Sequence, residues 1–155
     1  MIYKKIIILI LTFFFNFLLV NSTLGNEKDY FLTLKYNKVK VRQGPSFEYP
    51  VKFIYKKKYL PVKIIDSKDN FRKIIDLKNN DGWIHITQLT KKKSAINISN
   101  LSIAFKKANI YSQPLIRLEK GKMVIIKKCR DEWCKISSGS YEGWIFKNYL
   151  WGKIK

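Results

Sequence analysis

A short phrase that occurs twice constrains this chain more than any other feature. Gly82-Trp83-Ile84 is followed, after four intervening residues, by Leu89, and Gly143-Trp144-Ile145, after four, by Leu150. Both Trp and Leu recur at an offset of 61, and upstream Phe71-Arg72-Lys73-Ile74 is echoed by Trp133-Cys134-Lys135-Ile136. Self-similarity at a fixed offset means that the chain is built from copies of one unit. The unit reads as β. Lys38-Val39-Lys40-Val41-Arg42 alternates polar and apolar, the pattern of a half-buried strand. Gln43-Gly44-Pro45-Ser46 is turn chemistry, Phe47 to Pro50 an aromatic loop, and Val51 to Tyr55 a second apolar run. Residues 62–65 and 71–75 read as strands joined by the hairpin loop 66–70, and residues 82–85 as the last strand of the unit. Lys91-Lys92-Lys93-Ser94 breaks the pattern. The second unit starts near Leu101, with Ala108–Tyr111 read as its first strand, followed by residues 123–128, 133–137 and 143–146. No stretch after the N-terminal segment keeps a helical period, so the fold class is all-β, with small barrels or a sandwich.

The N-terminus is a different kind of sequence. Lys4 and Lys5 precede the apolar run Ile6–Val20, and Thr23-Leu24-Gly25 is a small-x-small cleavage site, with Val20-Asn21-Ser22 a second candidate. This is the layout of a secretory signal peptide over residues 1–25. The run is 15 residues, shorter than the roughly 20 of a spanning helix, and no cysteine follows it for lipid attachment. The expected compartment is the periplasm or the exterior, with no stable transmembrane span in the mature chain; the rival reading is that the segment is kept as an uncleaved anchor.

Cleavage after Gly25 leaves 130 residues with 29 basic and 11 acidic side chains, a formal charge of +18. That balance favours anionic partners. Lys, Ile and Asn all have A/T-rich codons, so base composition also supplies lysine. Only four of the basic residues are Arg, the preferred reader of base edges; with export, this argues against nucleic acid as a partner.

Cys129 and Cys134 are the only cysteines. A two-residue turn at Asp131-Glu132 sets Arg130 opposite Trp133 and Cys129 opposite Cys134, with Cα atoms about 4.5 Å apart, within disulfide range. An oxidising compartment favours the bridge. Two thiols and one distant His do not fill a metal site, so no metal or cofactor is expected. His85, the only histidine, reads as a surface strand residue because no nucleophile accompanies it. Trp83 and Trp144 read first as core, since large aromatics dominate small cores; Phe47 and Tyr49, beside Gly44 and Pro45, read as exposed.

In combination these residues resemble the bacterial SH3 domain family. The motif Val-x-Val-Arg-x-Gly-Pro is met by Val39, Val41, Arg42, Gly44 and Pro45; the middle strand by Phe71, Lys73 and Ile74; the closing Gly-Trp-Ile and Leu by Gly82, Trp83, Ile84 and Leu89. The resemblance implies two small SH3-like β-barrels in tandem, at residues 35–90 and 101–152, joined by a linker over 91–100. Two departures stand out. Lys58 occupies a turn where the family has Gly, kept in the second copy as Gly121. The second copy also has seven positions from Pro114 to Gly121 against 13 from Pro45 to Lys58, so it is expected to lack most of the loop that borders the ligand groove in SH3-like folds.

The resemblance implies a non-catalytic exported module that contacts peptidoglycan or its stem peptides. The candidate ligand residues are Arg42, Phe47, Tyr49 and Trp83, with Lys56 and Lys57 attracting the anionic wall. Two other classes fit the sequence: a periplasmic adaptor docking an envelope enzyme or transporter, and a cationic protein lying on anionic lipid.

Overall fold

The computed structural model describes residues 30–154; the expected signal peptide lies outside the described residues. Strands β1 (Tyr30–Leu34), β2 (Val39–Arg42), β3 (Val51–Tyr55), β4 (Pro61–Lys68), β5 (Phe71–Ile75), β6 (Asp81–His85) and β7 (Leu89–Thr90) form one antiparallel sheet in the order β3-β2-β6-β5-β4-β1-β7. Strands β8 (Ser94–Asn97), β9 (Leu101–Phe105), β10 (Pro114–Glu119), β11 (Met123–Arg130), β12 (Trp133–Ser138), β13 (Tyr141–Phe146) and β14 (Leu150–Gly152) form a second, in the order β10-β9-β13-β12-β11-β8-β14. The fold is all-β, two copies of one topology. The helices among the described residues are two single 3₁₀ turns, Ile86–Gln88 and Lys147–Tyr149, at matching places.

Each sheet rolls around its own core, which the alternation of the strands supplies. Leu32, Leu34, Val39, Val41, Val62, Ile64, Ile74, Ile84 and Leu89 fill the first. Ala95, Ala104, Leu118, Val124, Ile126, Cys134, Ile136, Ile145 and Leu150 fill the second. Trp83 and Trp144 belong to neither cluster: Trp83 is only half-buried, contrary to its reading as core, whereas Trp144 is buried as expected, outside the central cluster. Glycine explains the repeated phrase. A Cβ on Gly82 would stand 2.4 Å from Val41 Cγ1 and 2.9 Å from the Arg42 carbonyl, and one on Gly143 would stand 3.0 Å from Ala104 Cβ. The Gly lets β6 cross directly over β2, the Ile enters the core, and the Trp between them is turned to the outer face.

Hydrogen bonds fix the correspondence between copies. Leu34 N–H donates to the Leu60 carbonyl at 3.0 Å, and Asn97 N–H to that of Lys122 at 2.9 Å; Gln43 N–H donates to the Pro50 carbonyl at 3.1 Å, and Lys106 N–H to that of Gln113 at 2.9 Å. Arg42 is registered with Trp83, and Phe105 with Trp144. The offset is therefore 63 through β2 and the loop after it, 62 from Leu60/Lys122 to Phe71/Trp133, and 61 from Gly82/Gly143 onward.

Three expectations are corrected by this. Residues 108–111 are loop, and the counterpart of β2 in the second copy is β9, whose buried Ser102 and Ala104 take the places of Val39 and Val41. The second copy has not lost its loop: residues 43–50 and 106–113 are both eight long. The residue equivalent to Gly121 (φ 83°) is Tyr59 (φ 61°), one beyond Lys58; a tyrosine holds a left-handed conformation there. Further strands lie where none was expected: β1 in the lead-in to the first copy, β7 and β14 at the closing Leu of each copy, β8 within residues 91–100, and β10 at Pro114–Glu119.

The copies meet in a built joint. Thr33, fully buried, donates its hydroxyl to the Lys92 carbonyl at 2.9 Å, and Ser94 donates its own to the Tyr59 carbonyl. Phe31 meets Trp151 edge to face at 5.0 Å. Gly152 lies against β8 and Pro61, with no room for a Cβ: the Ser94 carbonyl would be 2.6 Å away and Pro61 Cβ 2.9 Å.

Candidate functional site

On the first copy, β2, β6 and the loop 43–50 gather an aromatic and cationic face. Arg42 leaves β2 on the outer side, in register with Trp83. Its Nη1 donates to the Tyr49 carbonyl at 2.7 Å, and its guanidinium lies 5.3 Å from the Phe47 ring centroid. Phe47 bends back over the sheet, 5.2 Å from Phe71 and 5.0 Å from His85 between ring centroids. Phe71 and His85 are themselves registered partners at 5.1 Å. The Tyr49 ring lies where a Gly44 Cβ would be, which is why the loop needs that Gly. His85 Nδ1 is 2.8 Å from the Thr87 hydroxyl and caps the 3₁₀ turn.

Four of the residues singled out from sequence are therefore brought together: Arg42, Phe47, Tyr49 and Trp83. Lys56 and Lys57 are not. They follow Tyr55, which is registered with Val39 at the opposite end of β2. Phe71 and His85 were missed as members of this face. The signal for them is the register itself, since Phe71 and His85 face each other on the strands that carry Lys73 and Trp83.

The second copy builds a different face from the same positions. Phe105 replaces Arg42, and Trp133 and Phe146 replace Phe71 and His85, stacked directly at 4.0 Å. Trp144 is covered by cations, with Arg130 at 4.9 Å and Lys128 at 5.7 Å from its ring. Cys129 and Cys134 form the disulfide, Cα atoms 4.0 Å apart, flanked by the Arg130–Trp133 pair. At the same hairpin the first copy has Arg72, whose Nη1 donates to the Asp69 and Phe71 carbonyls. Asp69 and Asp131 hold the same φ of 48° in the two turns.

Carboxylates here serve structure. Asp76 accepts from Tyr55 OH at 2.9 Å, from the Lys78 and Asn80 amides, and from the Asn80 side chain. Burial alone would raise its pKa, but these donors outweigh it and hold the carboxyl below its ordinary range. Burial and then the Asp76 carboxylate push the Tyr55 phenol well above its ordinary range. Asp81, bonded to Lys52 at 2.7 Å, is also held low, first by that bond. Near the joint, burial and then Lys93 and Lys91 push Lys153 below the usual lysine range. Among the described residues no three His, Cys, Asp or Glu side chains gather closely enough to hold a metal, and no helix is long and apolar enough to cross a membrane.

Comparison with known proteins gives one family. The bacterial SH3 domain matches residues 35–91 and again residues 104–152. No curated protein matches the chain. Among solved structures, NlpC2 from Trichomonas vaginalis is 16% identical over 82% of this chain and 49% of its own, with a TM-score of 0.38. NlpC1 from the same organism is 15% identical over 85% and 49%, at 0.36. An NlpC/P60 family protein from Bacillus cereus is 10% identical over 78% and 55%, at 0.34. The chain spans about half the length of these structures.

Proposed function

Since this chain belongs to the bacterial SH3 domain family, we propose that it is a non-catalytic, exported binding module whose first copy holds peptidoglycan or its stem peptides in the cell envelope. The observation that carries the reading is the face made by Arg42, Phe47, Tyr49 and Trp83, with Phe71 and His85 behind Phe47. Flat aromatic rings pack against sugar C–H groups and peptide side chains, and a guanidinium takes a carboxylate. Phe47 is held against two rings while 61% of it stays exposed, so the face is preorganised and open. Lys56 and Lys57, remote from it, contribute long-range attraction to an anionic wall, a role that depends on ionic strength.

Cosedimentation of the chain from Asn26 onward with purified sacculi, at low and at about 0.5 M salt, tests the reading. Pelleting that survives high salt and is lost in Phe47→Ala supports it. Pelleting only at low salt reduces the interaction to charge. No pelleting at either salt rejects wall binding and leaves the envelope adaptor as the function to pursue.

A further inference from the structure

The outer faces of the two copies carry opposite chemistry at equivalent positions. Lys38, Lys40 and Arg42 on the first correspond to Leu101, Ile103 and Phe105 on the second. Leu101 and Ile103 are exposed, and so is Leu115, the unpaired residue where the β9–β10 register shifts. With Pro114 and Arg117 they line a shallow groove of about 460 Å³. The adjoining loop continues the apolar surface: Ile110 is 52% exposed and Tyr111 90%.

That exposure is built into the loop. Lys107 N–H donates to the Ser112 hydroxyl and Tyr111 N–H to the Asn109 side chain, both at 2.9 Å. Ser112 N–H donates to the Asn109 carbonyl at 3.1 Å. Ile110 stands where Phe47 stands in the first copy, but the rings that receive Phe47 there are replaced by a Trp133–Phe146 stack, which Phe105 and Tyr149 meet edge to face. The loop tip leaves Ile110 half exposed and Tyr111 almost wholly exposed.

We propose that the β9–β10 hairpin and its loop dock on an anionic lipid bilayer, with Ile110 and Tyr111 entering the headgroup region. Charge complementarity selects this occupant. From Leu101 to Lys122 there are five cations (Lys106, Lys107, Arg117, Lys120 and Lys122) and one carboxylate, Glu119. Lys106 and Lys107 directly precede the tip. Cations beside anionic headgroups, with an amphipathic tyrosine at their level, are the pattern of an interfacial anchor. The surface is distinct from the first-copy face and does not depend on its ligand.

The test is cosedimentation of the chain from Asn26 with vesicles of phosphatidylcholine alone and with about a third phosphatidylglycerol. Ile6–Val20 is omitted because that apolar run would partition by itself. The wild-type chain is expected to pellet with the anionic vesicles only. Ile110→Ser with Tyr111→Ser is expected to lower the bound fraction roughly tenfold, with far-UV spectrum and Tm unchanged because neither side chain is in a core. Phe47→Ala is expected to bind as wild type. Undiminished binding by the double variant means charge alone and overturns the proposal. So does absence of binding by the wild-type chain, which would turn the same groove toward an extended polypeptide partner.

Discussion

Gly82 and Gly143 are equivalent in sequence but not in the room around them. The Cβ that Ala would bring meets Val41 at 2.4 Å in the first copy and Ala104 at 3.0 Å in the second. Overpacking costs about 1–3 kcal/mol, so Gly82→Ala is expected at the upper end and Gly143→Ala at the lower, measured by urea unfolding. Equal costs would contradict the crossing geometry. Asp76 supplies a pH dependence of defined sign. Its carboxyl is held below the ordinary value in the folded state, so its contribution is present above the unfolded pKa, about 3.9, and is lost as pH falls through the folded one. Asp76→Asn is therefore expected to flatten the acid limb of stability below about pH 4, read as Tm against pH. The sign for Tyr55 is opposite: its phenol is raised, so its stabilisation is present below about pH 10 and lost as pH climbs beyond.

At the scale of elements, the β4–β5 and β11–β12 hairpins solve one turn in two ways. The first uses Arg72 on the Asp69 and Phe71 carbonyls, the second the Cys129–Cys134 bridge. Closing so short a loop stabilises by about 2 kcal/mol. Cys129→Ala with Cys134→Ala is expected to lower stability by about that amount plus a packing loss for the buried Cys134, while a reductant leaves the variant unchanged. Guanidinium unfolding with and without reductant reads this out. The two eight-residue loops divide the surface chemistry. Replacing residues 47–50 by Gly and Ser is expected to abolish salt-resistant sacculus binding, and replacing residues 110–113 to leave it intact. The reverse result in cosedimentation would assign the wall face to the second copy.

At the scale of the molecule, each copy is near the size at which a single core is marginal, and the joint compensates. Thr33, Ser94, Pro61, Gly152 and the Phe31–Trp151 contact tie β1 and β4 to β8 and β14. The two barrels are therefore expected to unfold in one transition. Gly152→Val, which drives a side chain into the Ser94 carbonyl and Pro61, is expected to separate it into two. Calorimetry decides, and two transitions in the wild-type chain would refute the coupling.

The all-β class, the copy number, the disulfide register and the strand that carries Gly-Trp-Ile were legible in the sequence, because each rests on local pattern: alternation, turn residues and a phrase repeated at one spacing. Four of the six ligand candidates also converged, because Arg42, Phe47 and Tyr49 are close in sequence and Trp83 is registered with Arg42. What the sequence hid depends on long-range pairing. Two one-residue shortenings move the offset from 63 to 61, and β9 replaces the Val-x-Val-Arg pattern with Ser-x-Ala-Phe, so its match to β2 and the survival of its loop appear only in the ladder. Lys56 and Lys57 are near the candidates in sequence yet sit at the far end of the hairpin, because an antiparallel return of that length carries the chain away. The fate of each tip side chain was decided only in three dimensions: Phe47 lies on the Phe71 and His85 rings, whereas in the second copy Trp133 and Phe146 stack on each other and Ile110 is left half exposed.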